Sequence, residues 1–209
     1  MLAWSYPVGH VMALDDALVT RVPERGGSVA LSLRLRRALS PGLQAHLTRV
    51  GQLAQVLGSS LGLSGPTLTQ LRLGASLHDV GKAFVPASIL NKPGPLTGAE
   101  RRVMERHVVY GAALANRHAP AILDIITCHH EHWDGRGYRR GLRGEAIPYL
   151  ARVTAIADAY DAMTNDRPYR RRLSHGEALV ILQRAAGSQF DPYLAGAFVE
   201  LFRSRFASL

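Results

Sequence analysis

An all-α fold is what this sequence predicts, and three observations predict it. Apolar residues recur at three- and four-residue spacing through most of the chain. Prolines and Ser/Thr-x-x-Glu signals stand where helix N-termini would begin. Strand-like alternation is sparse, and no internal repeat or low-complexity tract breaks the pattern.

The elements follow in order. Ser40-Pro41 reads as an N-cap with proline at the first helical position, followed by a stripe of Leu43, Leu47, Val50, Ala54, Leu57 and Leu61. A second helix is predicted over roughly 66–80, stopped by Gly81 acting as a left-handed C-terminal cap. Residues 91–98, NKPGPLTG, form a loop, and Thr97 with Glu100 makes a capping box for a helix running to about Asn116. Pro120 opens the next helix, with Ile122, Ile125, Ile126, His129 and Trp133 along one stripe. A glycine-rich loop covers 134–147, and Pro148 starts a helix through Asp158 to Met163. Ser174 and Glu177 form a second capping box, and Asp191-Pro192 begins the last helix. Residues 1–38 carry a looser pattern and read as a short N-terminal extension, with 39–209 as the main domain. The opening apolar stretch lacks a basic n-region and suits a docking segment better than a signal peptide.

Composition narrows the function classes. A chain of 209 residues, 47% hydrophobic and 20% charged, buries a sizeable core as one globular domain. Its formal charge of +9 favours anionic partners, and no DNA or RNA polymer is expected among them. The single cysteine, Cys128, excludes an intramolecular disulfide and a thiolate metal cluster; it fits a reducing cytoplasm and reads as a small buried hydrophobe. No apolar run is long enough to span a membrane.

Ionisable residues stand on or beside the apolar faces of five helices: His46, His78 with Asp79, His107, His129 with His130, and Asp158. Private hydrogen bonds could satisfy any one of them. Five histidines and two aspartates together are satisfied more economically by a shared divalent metal site. Imidazole with carboxylate suits Fe, Mn or Zn, and Asp79, with two oxygens and His78 beside it, is the natural bridge between two ions.

Three spaced segments, HDVGK (78–82), HHEHWDGRGY (129–138) and DAYDAMTNDRPYR (158–170), resemble the HD-GYP subgroup of HD-domain metal phosphohydrolases. ILNKPGPLTGAERRVMERH (89–107) and GSQFDPYLAGAF (187–198) resemble it too, so the likeness covers 40–205. It implies an HD-domain helical bundle with extra C-terminal helices. The activity it implies is hydrolysis of cyclic di-GMP to pGpG, GMP or both, by a two-metal mechanism with hydroxide as nucleophile. By position, His46, His78, Asp79 and Asp158 resemble the ligands of one ion, and Asp79, His107, His129 and His130 those of the other. Gly42 stands where some members carry a third-metal glutamate, so two ions are expected, iron or manganese.

The resemblance also assigns roles around the ions. Lys82 would neutralise charge on the leaving oxygen, Arg167 and Arg170 would grip phosphates, and Gly137 and Tyr138 would meet the substrate. Asp161 would orient a metal-bound histidine or Lys82. Glu131 and His132 are expected to face solvent or the loop, and His10, His118 and His175 the surface. The sequence reads GYR where the family has Gly-Tyr-Pro, so Arg139 replaces a residue that fixes φ near −65° and adds a backbone donor. A diguanylate cyclase or another signalling protein is the implied partner. The competing expectations are a phosphohydrolase for another nucleotide and a non-catalytic cyclic-dinucleotide sensor or interaction module.

Overall fold

The structure, a computed structural model, describes residue 34 and residues 36–37, 39–166 and 171–206. The expected extension, apart from its last few residues, lies outside the described residues with His10, as do Arg167 and Arg170. Among the described residues there is no strand, only an isolated bridge between Ala186 and Phe190.

Helix α1 (Pro41–Ser60) begins where Ser40 Oγ accepts the Leu43 N–H at 3.4 Å, and Gly62, at φ +82°, turns the chain just beyond its end. Helix α2 (Gly65–Ala75) is followed by a tight turn and a short 3₁₀ segment, Val80–Phe84. Helices α3 (Ala87–Leu90), α4 (Gly98–Glu105), α5 (His107–Ala115) and α6 (Pro120–Cys128) lead to the glycine-rich loop. The long α7 (Tyr149–Thr164) then returns through the core, and α8 (His175–Arg184) and α9 (Pro192–Phe206) close it. Both predicted capping boxes are formed, at Thr97–Glu100 and Ser174–Glu177. Each cap contributes about 1 kcal/mol.

Helix α7 is the axis of the bundle. Ala151, Ala157, Ala159 and Ala162 are buried along it, and such small side chains let neighbouring helices approach closely. Val50, Leu57, Leu71, Ile125, Ile156, Met163 and Phe198 pack into one core drawn from α1, α2, α6, α7 and α9. Burying a side chain such as Phe198, which is fully enclosed, contributes about 2–3 kcal/mol.

Three local expectations are corrected. The second helix ends at Ala75, and Gly81 has no positive φ; it sits instead where the 3₁₀ segment presses on α5. A Cβ there would lie 1.9 Å from the His107 carbonyl oxygen and 2.5 Å from the Gly111 nitrogen, so glycine serves close approach. The helix expected over 97–116 breaks at Arg106, where the Met104 carbonyl receives a hydrogen bond from His107 Nδ1. Trp133 falls outside α6, which stops at Cys128; its backbone N–H donates to the Gln189 carbonyl, and the Arg152 guanidinium lies over its ring at 5.6 Å.

Candidate metal centre

His46 lies in the second turn of α1, four residues before Val50 on the buried face. His78 and Asp79 occupy the turn after α2, where the end of the helix frees both side chains to point the same way. His107 opens α5, His129 caps α6 with His130 beside it, and Asp158 lies on α7. Adjacent helical residues point about 100° apart, so placement at helix ends is what lets His78–Asp79 and His129–His130 share one focus.

All seven residues come together at that focus. Asp79 Oδ1 lies 3.1 Å from His107 Nε2 and 3.8 Å from His129 Nε2. Its other oxygen, Oδ2, lies 3.3 Å from His78 Nε2 and 4.0 Å from His46 Nε2. Asp158 Oδ1 stands 3.2 Å from His46 Nε2 and 3.8 Å from His78 Nε2. Donor atoms of two groups, Asp79–His107–His129–His130 and His46–His78–Asp79, lie within 4.8 Å of one another in each case, with Asp79 common to both.

The other ring nitrogens tell what these short distances mean. Nδ1 of His78 contacts the Ala75 carbonyl at 2.7 Å, that of His107 the Met104 carbonyl at 2.7 Å, and that of His129 the Ile126 carbonyl at 3.0 Å. Nδ1 of His46 contacts Asp161 Oδ2 at 2.7 Å. A neutral imidazole has one N–H, and an acceptor already holds it in each ring. The Nε2 lone pairs therefore converge on carboxylate oxygens, acceptor against acceptor. Nε2 of His78, His107 and His129 and Oδ1 of Asp79 are buried without a hydrogen-bond partner. Unsatisfied buried acceptors are costly, and a cation between them satisfies all of them. An anchored Nδ1–H with a free Nε2 is also the arrangement typical of metal-ligating histidines. The residues fit a metal.

The electrostatics fit as well. Burial, then the neighbouring His78, pushes His129 down to about 3. Burial, His129 and His107 hold His130 well below the ordinary histidine value. Both rings are thus neutral, as ligands must be. Burial opposes the charge on Asp79, but Lys82 and His78 outweigh it and keep the carboxyl well below the usual range. Asp158 is likewise lowered against the effect of burial, chiefly by the closeness of His46. His78 goes the other way, raised by Asp79 in spite of its burial.

Around this focus the expected roles sort themselves. Lys82 is no solvated surface lysine: it is 5% exposed and its ammonium pairs with Asp79 Oδ2. Asp161 holds His46 and contacts Arg49 and Asn165, not Lys82. Tyr138 is half-buried with its ring stacked on His130 at 4.6 Å, and burial raises its hydroxyl well above the ordinary tyrosine value. Gly137 packs on the backbone of 130–132, where a Cβ would come within 2.3 Å of the His132 nitrogen. Glu131 is buried and faces the loop rather than solvent, while His132 is half-buried beside the cleft. His118 is buried, contrary to the surface position expected of it; His175 is exposed and contacts the Tyr160 hydroxyl at 2.6 Å. Cys128 is buried, as expected.

Arg49 was not anticipated. Its Nε lies 2.5 Å and its Nη2 3.0 Å from the two oxygens of Asp161, a bidentate pair behind the His46 ring. Its position three residues after His46, one turn along the same helix face, was the available signal. A cleft lined by His129, His130, Tyr138, Asp158, Arg101 and Gln189 gives access to the cluster.

A family model described as HD domain matches residues 34–194. The chain belongs to the HD domain family. This HD domain is 40% identical over 173 residues to the cyclic di-GMP phosphodiesterase response regulator RpfG of Xanthomonas campestris pv. campestris, covering 79% of this chain and 46% of that protein. It is 36% identical over 160 residues to 3'3'-cGAMP-specific phosphodiesterase 2 of Vibrio cholerae, covering 75% of this chain and 31% of that protein. The chain thus spans less than half the length of these relatives. Among solved structures, the HDG"Y"P protein Bd1817 of Bdellovibrio bacteriovorus superposes with a TM-score of 0.64 at 21% identity, covering 90% of this chain and 62% of that one. That likeness establishes the HD-domain fold, as the sequence predicted. Among the described residues, no helix is long and apolar enough to cross a membrane.

Proposed function

We propose that residues 39–209 form the catalytic domain of a cytoplasmic phosphodiesterase that hydrolyses cyclic di-GMP to pGpG, GMP or both, using two divalent ions, iron or manganese. One observation carries the reading: the two oxygens of Asp79 face different sets of histidines, and the inward Nε2 atoms of His78, His107 and His129 are buried without a hydrogen-bond partner. A nitrogen-and-oxygen donor set without thiolate suits Fe and Mn. His46, His78, Asp79 and Asp158 would hold one ion, and Asp79, His107, His129 and His130 the other. When bound, such a pair supplies water activation at neutral pH and charge neutralisation at a phosphodiester.

The chain's own residues supply the rest. Lys82, fixed against Asp79, balances the bridging carboxylate and brings a positive charge beside the cluster for a phosphate or leaving oxygen. Asp161, itself held by Arg49, fixes the His46 ring. Gly137 and Tyr138 wall the substrate cleft, and Arg167 and Arg170 would grip phosphates as the resemblance implies. On this reading the loop around Arg139 is also where a diguanylate cyclase or another signalling protein would dock.

The test is turnover by protein loaded anaerobically with Mn²⁺ or Fe²⁺, assayed beside 3'3'-cGAMP and cyclic di-AMP. Release of pGpG or GMP, fastest from cyclic di-GMP, is the expected result. Faster cleavage of 3'3'-cGAMP would favour a second reading, supported by the relative of that specificity. Tight binding without product would make the domain a sensor.

A further inference from the structure

Four of the five histidines in the cluster are anchored through Nδ1, and the fifth is not. His46, His78, His107 and His129 each have an acceptor behind the ring. Among the described residues His130 makes no side-chain hydrogen bond. Its ring packs against His129 at 4.0 Å and His107 at 5.1 Å within the cluster, and its one ring neighbour from outside the cluster, among the described residues, is Tyr138, stacked on it at 4.6 Å and 29°. Tyr138 stands on the glycine-rich loop, so the loop's position decides where His130 points.

The loop, in turn, is tied down at one residue. Glu131 is 3% exposed, and its carboxylate accepts the backbone N–H of Arg140 at 2.6 Å and of Leu142 at 3.0 Å, one through each oxygen. Among the described residues no cation pairs with it, so these two backbone donors are what compensates its burial. The Tyr138 N–H donates to the His130 carbonyl at 3.2 Å, and Gly137 lies flat on the backbone of 130–132. Loop and helix end are thereby clamped on both sides of Tyr138, with Glu131 on the far side.

We propose that Glu131 is a positioning residue which, through the loop backbone and the Tyr138 ring, orients His130 as a ligand of the second ion. The loop does for His130 what carbonyls and Asp161 do for the other rings. Tyr138 accordingly acts on the metal site first, and its hydroxyl is dispensable for that task. The inference rests on the two-ion reading proposed above.

Glu131→Gln tests it directly. A glutamine keeps the size but offers one acceptor and one NH₂ group, so one loop N–H would meet a donor. Mn²⁺ titration of the metal-stripped full chain, followed by calorimetry, is the readout, with a thermal melt alongside. The wild-type chain is expected to bind two ions. Glu131→Gln should keep one affinity and weaken the other about tenfold or more, the loss typical when support behind a ligand is removed. Tyr138→Ala should do the same, and Tyr138→Phe should keep both Mn²⁺ affinities. Adding Glu131→Gln to Tyr138→Ala should weaken the second ion no further, because both act by one route. Wild-type affinities for both ions in Tyr138→Ala would overturn the inference even if Glu131→Gln fails to fold. A wild-type chain that binds no Mn²⁺ would instead sink the two-ion reading itself.

Discussion

Nδ1 of His46 and Oδ2 of Asp161 lie 2.7 Å apart, although 115 residues separate them in the chain. Asp161 is itself held by the two nitrogens of Arg49, so a charged relay runs from the half-exposed guanidinium to the focus of the cluster. Hydrogen bonds of this kind fix ring tautomer and orientation and raise the basicity of the ligating nitrogen.

Removing that support has a defined consequence. Asp161→Ala should weaken binding of the ion held by His46 about 10- to 100-fold and leave the other ion's affinity near wild type. Arg49→Ala should show a smaller loss in the same direction, because Asp161 keeps its contact with His46 and with Asn165. Mn²⁺ titration of both variants separates the two outcomes.

Gly81 yields a stability prediction. Gly81→Ala would drive a methyl group into the backbone at His107 and Gly111, neither of which is the free end of a side chain. A loss of about 3 kcal/mol or more in unfolding free energy is expected, measured by urea denaturation. A left-handed cap, the role expected from sequence, would have cost only about 1 kcal/mol.

Lys82 separates chemistry from metal retention. Lys82→Met should lower turnover about 10²-fold, the usual effect of losing one fixed group at developing charge, while two Mn²⁺ ions remain bound. Turnover within a few-fold of wild type would remove Lys82 from the mechanism.

The metal-stripped protein should be sensitive to mild acid. His129 and His130 are held below their unfolded values, so between about pH 6.5 and pH 3 the unfolded chain binds more protons than the folded one. Stability therefore falls with pH across that window, by at most about 1.4 kcal/mol per pH unit for each histidine. His78, raised by Asp79, contributes with the opposite sign and offsets part of the loss. Asp79 and Asp158, both lowered, add to it once the pH falls below the ordinary carboxylate range. Urea denaturation of stripped protein at pH 7 and pH 5 should show the weaker fold at pH 5.

Legibility in the sequence followed the range of the interaction. Thr97 with Glu100 and Ser174 with Glu177 are three-residue signals, and both caps form as read. The helix-end histidines and aspartates could be singled out because ionisable groups on apolar faces are anomalous wherever the partners lie. Whatever depended on a distant neighbour was hidden. Gly81 answers to α5, Arg49 to a carboxylate 112 residues away, and Glu131 to backbone donors that no side-chain pattern announces. The break at Arg106 was invisible for a related reason: a histidine side chain takes up a carbonyl at the junction.

The most direct test of the central claim is the Mn²⁺ stoichiometry of the wild-type chain beside Asp79→Ala, by calorimetry and elemental analysis. Because one carboxylate faces both sets of imidazoles, two ions per chain should be bound in the wild type and neither retained in the variant, with turnover lost alongside. Two ions held at wild-type affinity without Asp79, or turnover that survives its loss, would contradict the shared centre.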